Sequence, residues 1–187
     1  MEVGKTIYLA NRKKWRKWLE KNYDKEREIW LLFPNKISGK QKIPYNDAVE
    51  EALCFGWIDS NVKRIDENLI AQRFSVRNPK SSYSQANKER LKKLIKEGKV
   101  IPEVLSKIDI KKIAEFSIPE DILKKLNSNE NAWNNFIKFS EAYQRIRIGY
   151  VEGARKKPEE FEKRLNNLIK KSEKNKQFGF GGIEKYY

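Results

Sequence analysis

The sequence contains no histidine and only one cysteine, Cys54, and these two shortages exclude several kinds of site. Without histidine there is no Ser-His-Asp or Cys-His catalysis, no histidine-ligated zinc and no imidazole general base. With one cysteine the chain forms neither an internal disulfide nor a multi-cysteine metal site. We therefore expect no cofactor and no metal, and we interpret Cys54 as a small buried apolar residue.

Long apolar segments are also missing. The longest uninterrupted apolar run, residues 29–33, is far shorter than the ~20 residues that cross a bilayer. The first residues of the chain do not include the apolar stretch that is typical of a secretory signal. The sequence therefore predicts a cytoplasmic protein without a membrane span.

Positive charge, in contrast, is abundant. The formal net charge is +15, and such a surface attracts polyanions such as nucleic acid. A solvated lysine-rich surface that maintains solubility is the alternative interpretation. The basic run at residues 12–18 also has two interpretations. Trp15 and Trp18 could stack on nucleic-acid bases, or they could face the core from one side of a helix. We favour the core-facing helix.

The first half of the chain predicts three short strands and two helices. The strands are expected at residues 28–33, 57–60 and 69–76, where β-branched and aromatic residues lie between turn-forming ones. The helices are expected to begin at Asn11 and Asn46, which are both suitable N-cap residues. This order predicts an α+β fold in which a small three-stranded sheet is covered by helices.

The second half predicts helices only. Ser84 is suited to cap the first of them, and residues 117–120 (Ser-Ile-Pro-Glu) predict a capping box for another. Apolar residues at helical spacing follow each of these starts. We predict one domain over residues 1–176, with a sheet-containing part at about 1–83 and a helical part at about 84–176, followed by a tail at 177–187.

Two residues at the start of the second predicted strand are candidates for ligand binding. Trp57 offers a flat apolar surface, and Asp59 is a carboxylate that can orient a ligand. The alternative is that Trp57 belongs to the core and Asp59 accepts hydrogen bonds in a loop.

A second candidate lies where the third predicted strand ends. Arg73 and Arg77 precede a polar loop that leads to a helix N-terminus at Ser84. Guanidinium groups and the N–H groups of a helix N-terminus both bind anions. The alternative is that Ser84 only caps its helix and that the arginines pair with Asp59 or Glu89.

These stretches resemble a known family. Residues 52–59 read Ala-Leu-Cys-Phe-Gly-Trp-Ile-Asp, residues 73–77 read Arg-Phe-Ser-Val-Arg, and residues 81–87 read Ser-Ser-Tyr-Ser-Gln-Ala-Asn. They are similar to motifs of the bacteriocin-protection, YdeI/OmpD-associated family, although Val76 stands where that family has proline and Tyr83 where it has tryptophan. The resemblance implies a role in envelope stress or in tolerance of antimicrobial peptides.

The leading hypothesis is a non-enzymatic binding protein for a small anionic ligand. The arginines would bind the charge, aromatic rings would form the walls, and polar groups would fix the orientation; the predicted site residues are Trp57, Asp59, Arg73, Arg77, Tyr83, Ser84 and Asn87. One alternative is a nucleic-acid-associated protein that uses its diffuse positive charge. Another is an enzyme without histidine, in which Asp59 acts as a base beside an arginine clamp. No pattern indicates the oligomeric state.

Overall fold

The computed structural model describes residues 2–35, 37–180 and 182–187. The chain divides into two compact units, of which the first comprises Met1–Ser82 with Lys93–Ile108 and the second Tyr83–Lys92 with Asp109–Tyr187. The predicted division at about residue 83 and the predicted single domain over 1–176 stay predictions. Each unit has its own arrangement of elements and is described separately.

The first unit contains a four-stranded mixed sheet. Its strands are β1 (Thr6–Ile7), β2 (Glu28–Pro34), β3 (Trp57–Arg64) and β4 (Leu69–Val76), in the spatial order β1-β2-β4-β3. The α+β class is confirmed, but the prediction of three strands is wrong by one. β1 has only two residues and pairs in parallel with β2. A two-residue strand is too short to show an alternating pattern, so its pairing is visible only in the tertiary structure.

The basic run near the N-terminus forms α1 (Arg12–Asn22), which packs on this sheet. Asn11 caps the helix as predicted, because its side chain accepts a hydrogen bond from the backbone N–H of Lys14. Trp15 is fully buried, with its ring 5.3 Å from that of Phe74 on β4 and its Nε1 donating to the carbonyl of Ala48. Trp15 therefore belongs to the core.

The second helix, α2 (Tyr45–Cys54), begins differently from the prediction. Pro44 occupies the N-cap position, and no side chain caps the helix there. Asn46 lies inside the helix, where it is buried and donates a hydrogen bond to Glu50 one turn later. The predicted Asn46 cap is wrong, because the amide of Asn46 binds the carboxylate of Glu50 instead of the helix N-terminus. The burial of Glu50 is not visible in the local sequence pattern.

The register of the sheet decides which residues share a face. Asp59 pairs with Phe74, which packs against Trp15, whereas Arg73 is the next residue along β4. Successive side chains of a strand point to opposite faces. Asp59 therefore lies on the helix-covered face and Arg73 on the other face.

The first unit also contains α4 (Pro102–Leu105), and α3 (Gln85–Lys96) begins in the second unit. The remaining helices of the second unit are α5 (Ile110–Ala114), α6 (Glu120–Asn127), α7 (Glu130–Phe136), α8 (Glu141–Glu152) and α9 (Pro158–Glu173). No helix in the described ranges is both long enough and apolar enough to cross a membrane.

Two predictions for the second half have different outcomes. Ser84 caps α3, since its hydroxyl accepts from the N–H of Asn87 at 3.3 Å. The capping box at residues 117–120 is wrong, because Pro119 takes the N-cap position of α6 and no side chain caps that helix. The proline thus displaces the serine as the boundary residue.

The apolar core of the second unit joins α6, α7, α8 and α9. Its buried members are Ile122, Leu126, Phe136, Tyr143, Ile148, Val151, Ala154, Phe161, Leu165 and Leu168. The predicted tail also contributes to this unit, because Phe178 and Tyr187 pack against the core and Ile183 is buried in a short 3-10 helix (Ile183–Tyr186). The last residues thus lie against the helices of this unit.

We expect Gly56→Ala to destabilise the protein more than Gly98→Ala. Both glycines have a left-handed backbone, with φ of +72° and +64°, so each substitution costs about 1–2 kcal/mol of backbone strain. A Cβ at Gly56 would in addition lie 3.1 Å from Cγ2 of Val104, whereas a Cβ at Gly98 has no neighbour within 4 Å among the described residues. Urea unfolding measures the difference in free energy, and Val104→Ala should remove it. Equal losses for the two single variants would contradict the close packing of Gly56.

Candidate functional site

Trp57, a predicted wall of the site, is a core residue of the first unit. Only 1% of its surface is exposed, and its Nε1 donates to the carbonyl of Tyr23 at 3.0 Å. The ring lies edge-on against Trp18, with 5.9 Å between the centroids. The indole is thus enclosed by α1 and the residue that follows it.

The charge of Arg73 is compensated within the sheet. Its Nε donates to Oε2 of Glu28 at 3.0 Å, its Nη2 contacts the same oxygen, and its Nη1 donates to the hydroxyl of Ser60. These hydrogen bonds hold the pKa of Glu28 below its usual value. Asp59, on the opposite face, accepts a hydrogen bond from the hydroxyl of Tyr45. The sheet therefore separates Asp59 from the Arg73 guanidinium.

Arg77 organises the loop that follows β4. Its Nη2 donates to the carbonyl of Ser81, and its backbone N–H donates to the carbonyl of Gly56 at 3.0 Å. Ser81 in turn hydrogen-bonds to the carbonyl of Asn78 through its own N–H. This half-buried arginine thus closes a five-residue loop in the first unit.

The other three predicted site residues belong to the second unit. Ser84 is exposed and caps α3, Tyr83 is half-buried, and the Oδ1 of Asn87 accepts from Nη1 of Arg90 at 2.8 Å. The seven predicted residues therefore fall in two units, with Trp57, Asp59, Arg73 and Arg77 in the first. That they bind one ligand stays a prediction.

Cys54 is buried, as predicted, beside a cluster of paired charges in the first unit. Burial raises the pKa of its thiol to about 11, and the carboxylate of Glu51 adds to the effect. Arg12 and Arg16 both bind Glu51, which is almost fully buried. A thiol with a raised pKa is a poor nucleophile at neutral pH. The cluster holds α1 against α2.

The described part of the chain contains two further features that could hold a ligand. Two open grooves, of about 210 and 290 Å³, lie beside the β3–β4 turn, and Asp66, Asn68 and Leu69 line both. The larger one is also lined by Lys42 and Arg64, opposite Asp66 and Glu67, so its charges are balanced. No group of three or more metal-ligating side chains is found in the described residues.

The most unusual polar group of the second unit is Arg147 in the middle of α8. Only 1% of this residue is exposed. No residue in the described ranges accepts a hydrogen bond from its Nε or its Nη1, and none places a carboxylate within ion-pair distance. Arg147 is therefore a buried cation whose hydrogen-bond donors are incompletely used.

Five aromatic rings surround the Arg147 guanidinium, and we call this group the aromatic cage. Tyr143 and Tyr150 come from α8 itself, while the other three rings come from the last ten residues. The distances from Cζ to the ring centroids are 4.9 Å for Phe178, 5.4 Å for Tyr150, 5.7 Å for Phe180, 5.7 Å for Tyr187 and 6.0 Å for Tyr143. The cage thus joins one helix to the C-terminal segment.

The cage stabilises the charge of Arg147 but leaves part of its hydrogen-bonding capacity unused. A buried ion without a partner costs several kcal/mol, and a desolvated cation–π contact contributes about 2 kcal/mol or more, so several rings together can offset the cost of the charge itself. Arg147 also donates toward the hydroxyl of Tyr187, but its Nε and Nη1 have no acceptor among the described residues. The hydroxyl of Tyr143, also buried, has no partner in the part of the chain that the structure describes. The arrangement is suited to an added oxyanion.

Two other arginines, one on α8 and one just after it, are paired with acidic residues. Arg145 donates from Nε and Nη2 to the two oxygens of Glu89, at 2.9 and 3.1 Å. Arg155 pairs with Glu152 and Asp121. Arg147 differs because it faces the aromatic core, where no acid of the described chain reaches it.

Sequence reasoning did not select Arg147, although a local signal existed. Tyr143, Arg147 and Tyr150 are spaced i, i+4 and i+7, so an arginine lies on the apolar stripe of a predicted helix. Its burial depends on Phe178, Phe180 and Tyr187, which follow α9 and have no periodic pattern. The tertiary structure alone brings them to α8.

The fold and the cage define an α+β protein with a sheet-containing unit and a helical unit that buries an arginine without an acidic partner among the described residues. Residues 7–107 match the family model described as domain of unknown function DUF8412, which covers more than half of the chain, and the protein belongs to this family. Residues 115–175 match the model described as bacteriocin-protection, YdeI or OmpD-associated, so the resemblance to that family is confirmed. No curated protein and no solved structure matches this chain.

The motifs that carried the resemblance do not lie in the segment that matches the YdeI/OmpD-associated family. The motifs at residues 52–59, 73–77 and 81–87 lie within the DUF8412 match, whereas the YdeI/OmpD-associated match covers the later helices. Arg147 lies within the second match and Phe180 beyond it. The family descriptions assign no ligand to either segment.

We expect acid to destabilise the protein through Glu89. Burial opposes its ionisation, but hydrogen bonds from Arg145, Lys92 and Gln85 prevail and hold the pKa of Glu89 below its usual value. A carboxylate with a lowered pKa stabilises the fold above its unfolded pKa, and this contribution is lost as pH falls through the folded pKa. Glu89→Gln should cost about 1–3 kcal/mol at pH 7 and make the loss below pH ~4.5 shallower.

The control for this experiment is Glu141→Gln, since the exposed Glu141 pairs with the same Arg145. This variant should change stability little at either pH, because exposed ion pairs contribute little. Urea unfolding between pH 3 and pH 7 measures both variants. An unchanged pH profile in Glu89→Gln would contradict the role of this carboxylate.

Proposed function

We propose that this protein is a non-enzymatic binding protein for a small anionic ligand and that Arg147 binds the charge of the ligand. The observation that carries the proposal is the buried guanidinium whose Nε and Nη1 have no acceptor among the described residues. Binding an oxyanion there would supply the missing acceptors and neutralise the buried charge. Binding would therefore remove the free-energy cost of leaving these two buried donors without acceptors.

The titratable groups around Arg147 are suited to binding rather than to proton transfer. Burial raises the pKa of the Tyr143 hydroxyl to about 12 and raises that of Tyr187 as well, while the Arg147 charge partly offsets both shifts. Both hydroxyls therefore stay protonated at neutral pH and do not act as bases. The Tyr187 hydroxyl already donates to the carbonyl of Phe178, so the buried Tyr143 hydroxyl is the donor beside the guanidinium that an anion can use.

The distribution of charge supports a local site over a diffuse one. The excess of basic over acidic residues is divided almost equally between the two units, so the charge is not concentrated in either of them. Arg147 is distinguished by its burial rather than by a basic neighbourhood. Association with nucleic acid would instead depend on many exposed lysines acting together.

We expect phosphate or acetate to raise the melting temperature, and Arg147→Met to remove this effect. A ligand at a hundredfold excess over its Kd stabilises the folded state by about 2.7 kcal/mol. Methionine keeps an unbranched apolar stem of similar shape, so replacing an unpaired buried charge should leave the unliganded protein as stable or more stable. Differential scanning fluorimetry against anion concentration measures both effects.

The matched control is Arg145→Met, two residues earlier in the same helix. This substitution leaves the buried Glu89 without its arginine, so it should cost about 3–5 kcal/mol while keeping the anion-dependent shift. A shift that survives in Arg147→Met, or that falls equally with any exposed lysine substitution, would contradict the proposal. The second result would favour the nucleic-acid interpretation.

We also propose that ligand binding serves tolerance of antimicrobial peptides in the cytoplasm. The support is that residues 115–175 match a family described as bacteriocin-protection, YdeI or OmpD-associated. Expression of the protein in a bacteriocin-sensitive strain should raise the minimal inhibitory concentration at least twofold, and Arg147→Met at equal protein level should abolish the increase. Equal protection by both forms would separate tolerance from the Arg147 site.

A further inference from the structure

Phe180 occupies an unusual position in the aromatic cage. Its side chain is 60% exposed, yet its ring centroid lies 5.7 Å from the Arg147 guanidinium carbon and 5.6 Å from the ring of Tyr150. One part of the ring thus contacts the buried site while the rest faces solvent. A phenylalanine in this position separates from water a cation that has no acidic partner among the described residues.

The other two rings of the C-terminal segment are held more firmly. Phe178 and Tyr187 pack against the core of the second unit, and the hydroxyl of Tyr187 donates to the carbonyl of Phe178 at 2.9 Å. A Cβ at Gly179 would lie 2.5 Å from that hydroxyl, so the backbone passes very close to Tyr187. Phe178 and Tyr187 therefore form the fixed part of the cage.

Phe180 is held by fewer contacts than Phe178 and Tyr187. It contacts Tyr150 and Arg147, and most of its apolar surface is already exposed, so moving it away from the cage costs little hydrophobic energy. Because its ring centroid lies 5.7 Å from Cζ of Arg147, moving it also uncovers one side of the guanidinium. Phe180 is therefore the ring whose place a ligand can take at least cost.

We infer that the ligand of Arg147 is a small aromatic carboxylate whose ring takes the place of Phe180 beside Tyr150 while its carboxylate binds the guanidinium. The inference rests on the proposed function and adds the class of ligand. The ring would recover the aromatic contact with Tyr150 that Phe180 makes in the unliganded protein. The carboxylate would supply the acceptors that the cage lacks. A single molecule with both groups satisfies both requirements.

The experiment compares benzoate with acetate, which share a carboxylate but differ in the ring. Isothermal titration calorimetry with the full chain should give a Kd for benzoate at least about tenfold lower than that for acetate, because only benzoate replaces the ring contact. Phe180→Ala should lower the Kd of benzoate a further ~3–10-fold, since the competing ring is gone. Arg147→Met should abolish binding of both acids.

The matched control is Ile137→Ala, which removes another exposed apolar side chain of the second unit and should leave both affinities unchanged. Equal affinities for benzoate and acetate that both depend on Arg147 would overturn the ligand class and leave the proposed function standing. Weaker benzoate binding in Phe180→Ala would also overturn the inference, because Phe180 would then be a wall of the site. No binding of either acid to the unaltered protein would contradict the proposed function itself.

Discussion

A guanidinium removed from water needs an oxygen acceptor or an electron-rich surface, and the helical unit provides mainly the second at Arg147. The residue lies on the core side of α8, so the chain cannot leave it solvated and must cover it. Three of the five covering rings come from the segment that follows α9. Phe178, Phe180 and Tyr187 thus contribute to the cover of this one buried charge, and the buried Tyr143 lies beside it.

In the sheet-containing unit, by contrast, the buried charges are paired with side chains of opposite charge. Glu50 and Glu51 are as deeply buried as a typical core residue, but Arg12 and Arg16 reach them from the neighbouring helix. Buried ion pairs of this kind fix the position of one element against another, and breaking one partner is costly. Each of these charges is paired with an opposite charge inside the chain, and Nη2 of Arg12 is the one guanidinium nitrogen among them that is buried without an acceptor in the described residues. Arg147 differs because it has neither an acidic partner nor acceptors for Nε and Nη1 among the described residues.

The two family matches cover different segments of the chain, and neither includes the C-terminal segment that completes the aromatic cage. The DUF8412 match covers the sheet and its helices, and its description names no activity. The match to the bacteriocin-protection, YdeI or OmpD-associated family covers the helices that bury Arg147. The Phe178–Tyr187 segment that completes the cage lies beyond both matches. A ligand preference that depends on Phe180 would therefore be a property of this chain rather than one carried by either matched segment.

Much of the architecture was determined by local sequence, because local chemistry is enough for it. The helix that places Trp15 on its core-facing side and the Asn11 cap that begins it each depend on a few neighbouring residues, and each is found where it was predicted. Features that depend on distant partners were not visible in this way. Strand β1 needs β2, and Asn46 enters its helix to serve Glu50. The predicted site residues are separated because pleating places Asp59 and Arg73 on opposite faces. The burial of Arg147 was decided only by the tertiary structure, since rings more than thirty residues away in sequence close over it.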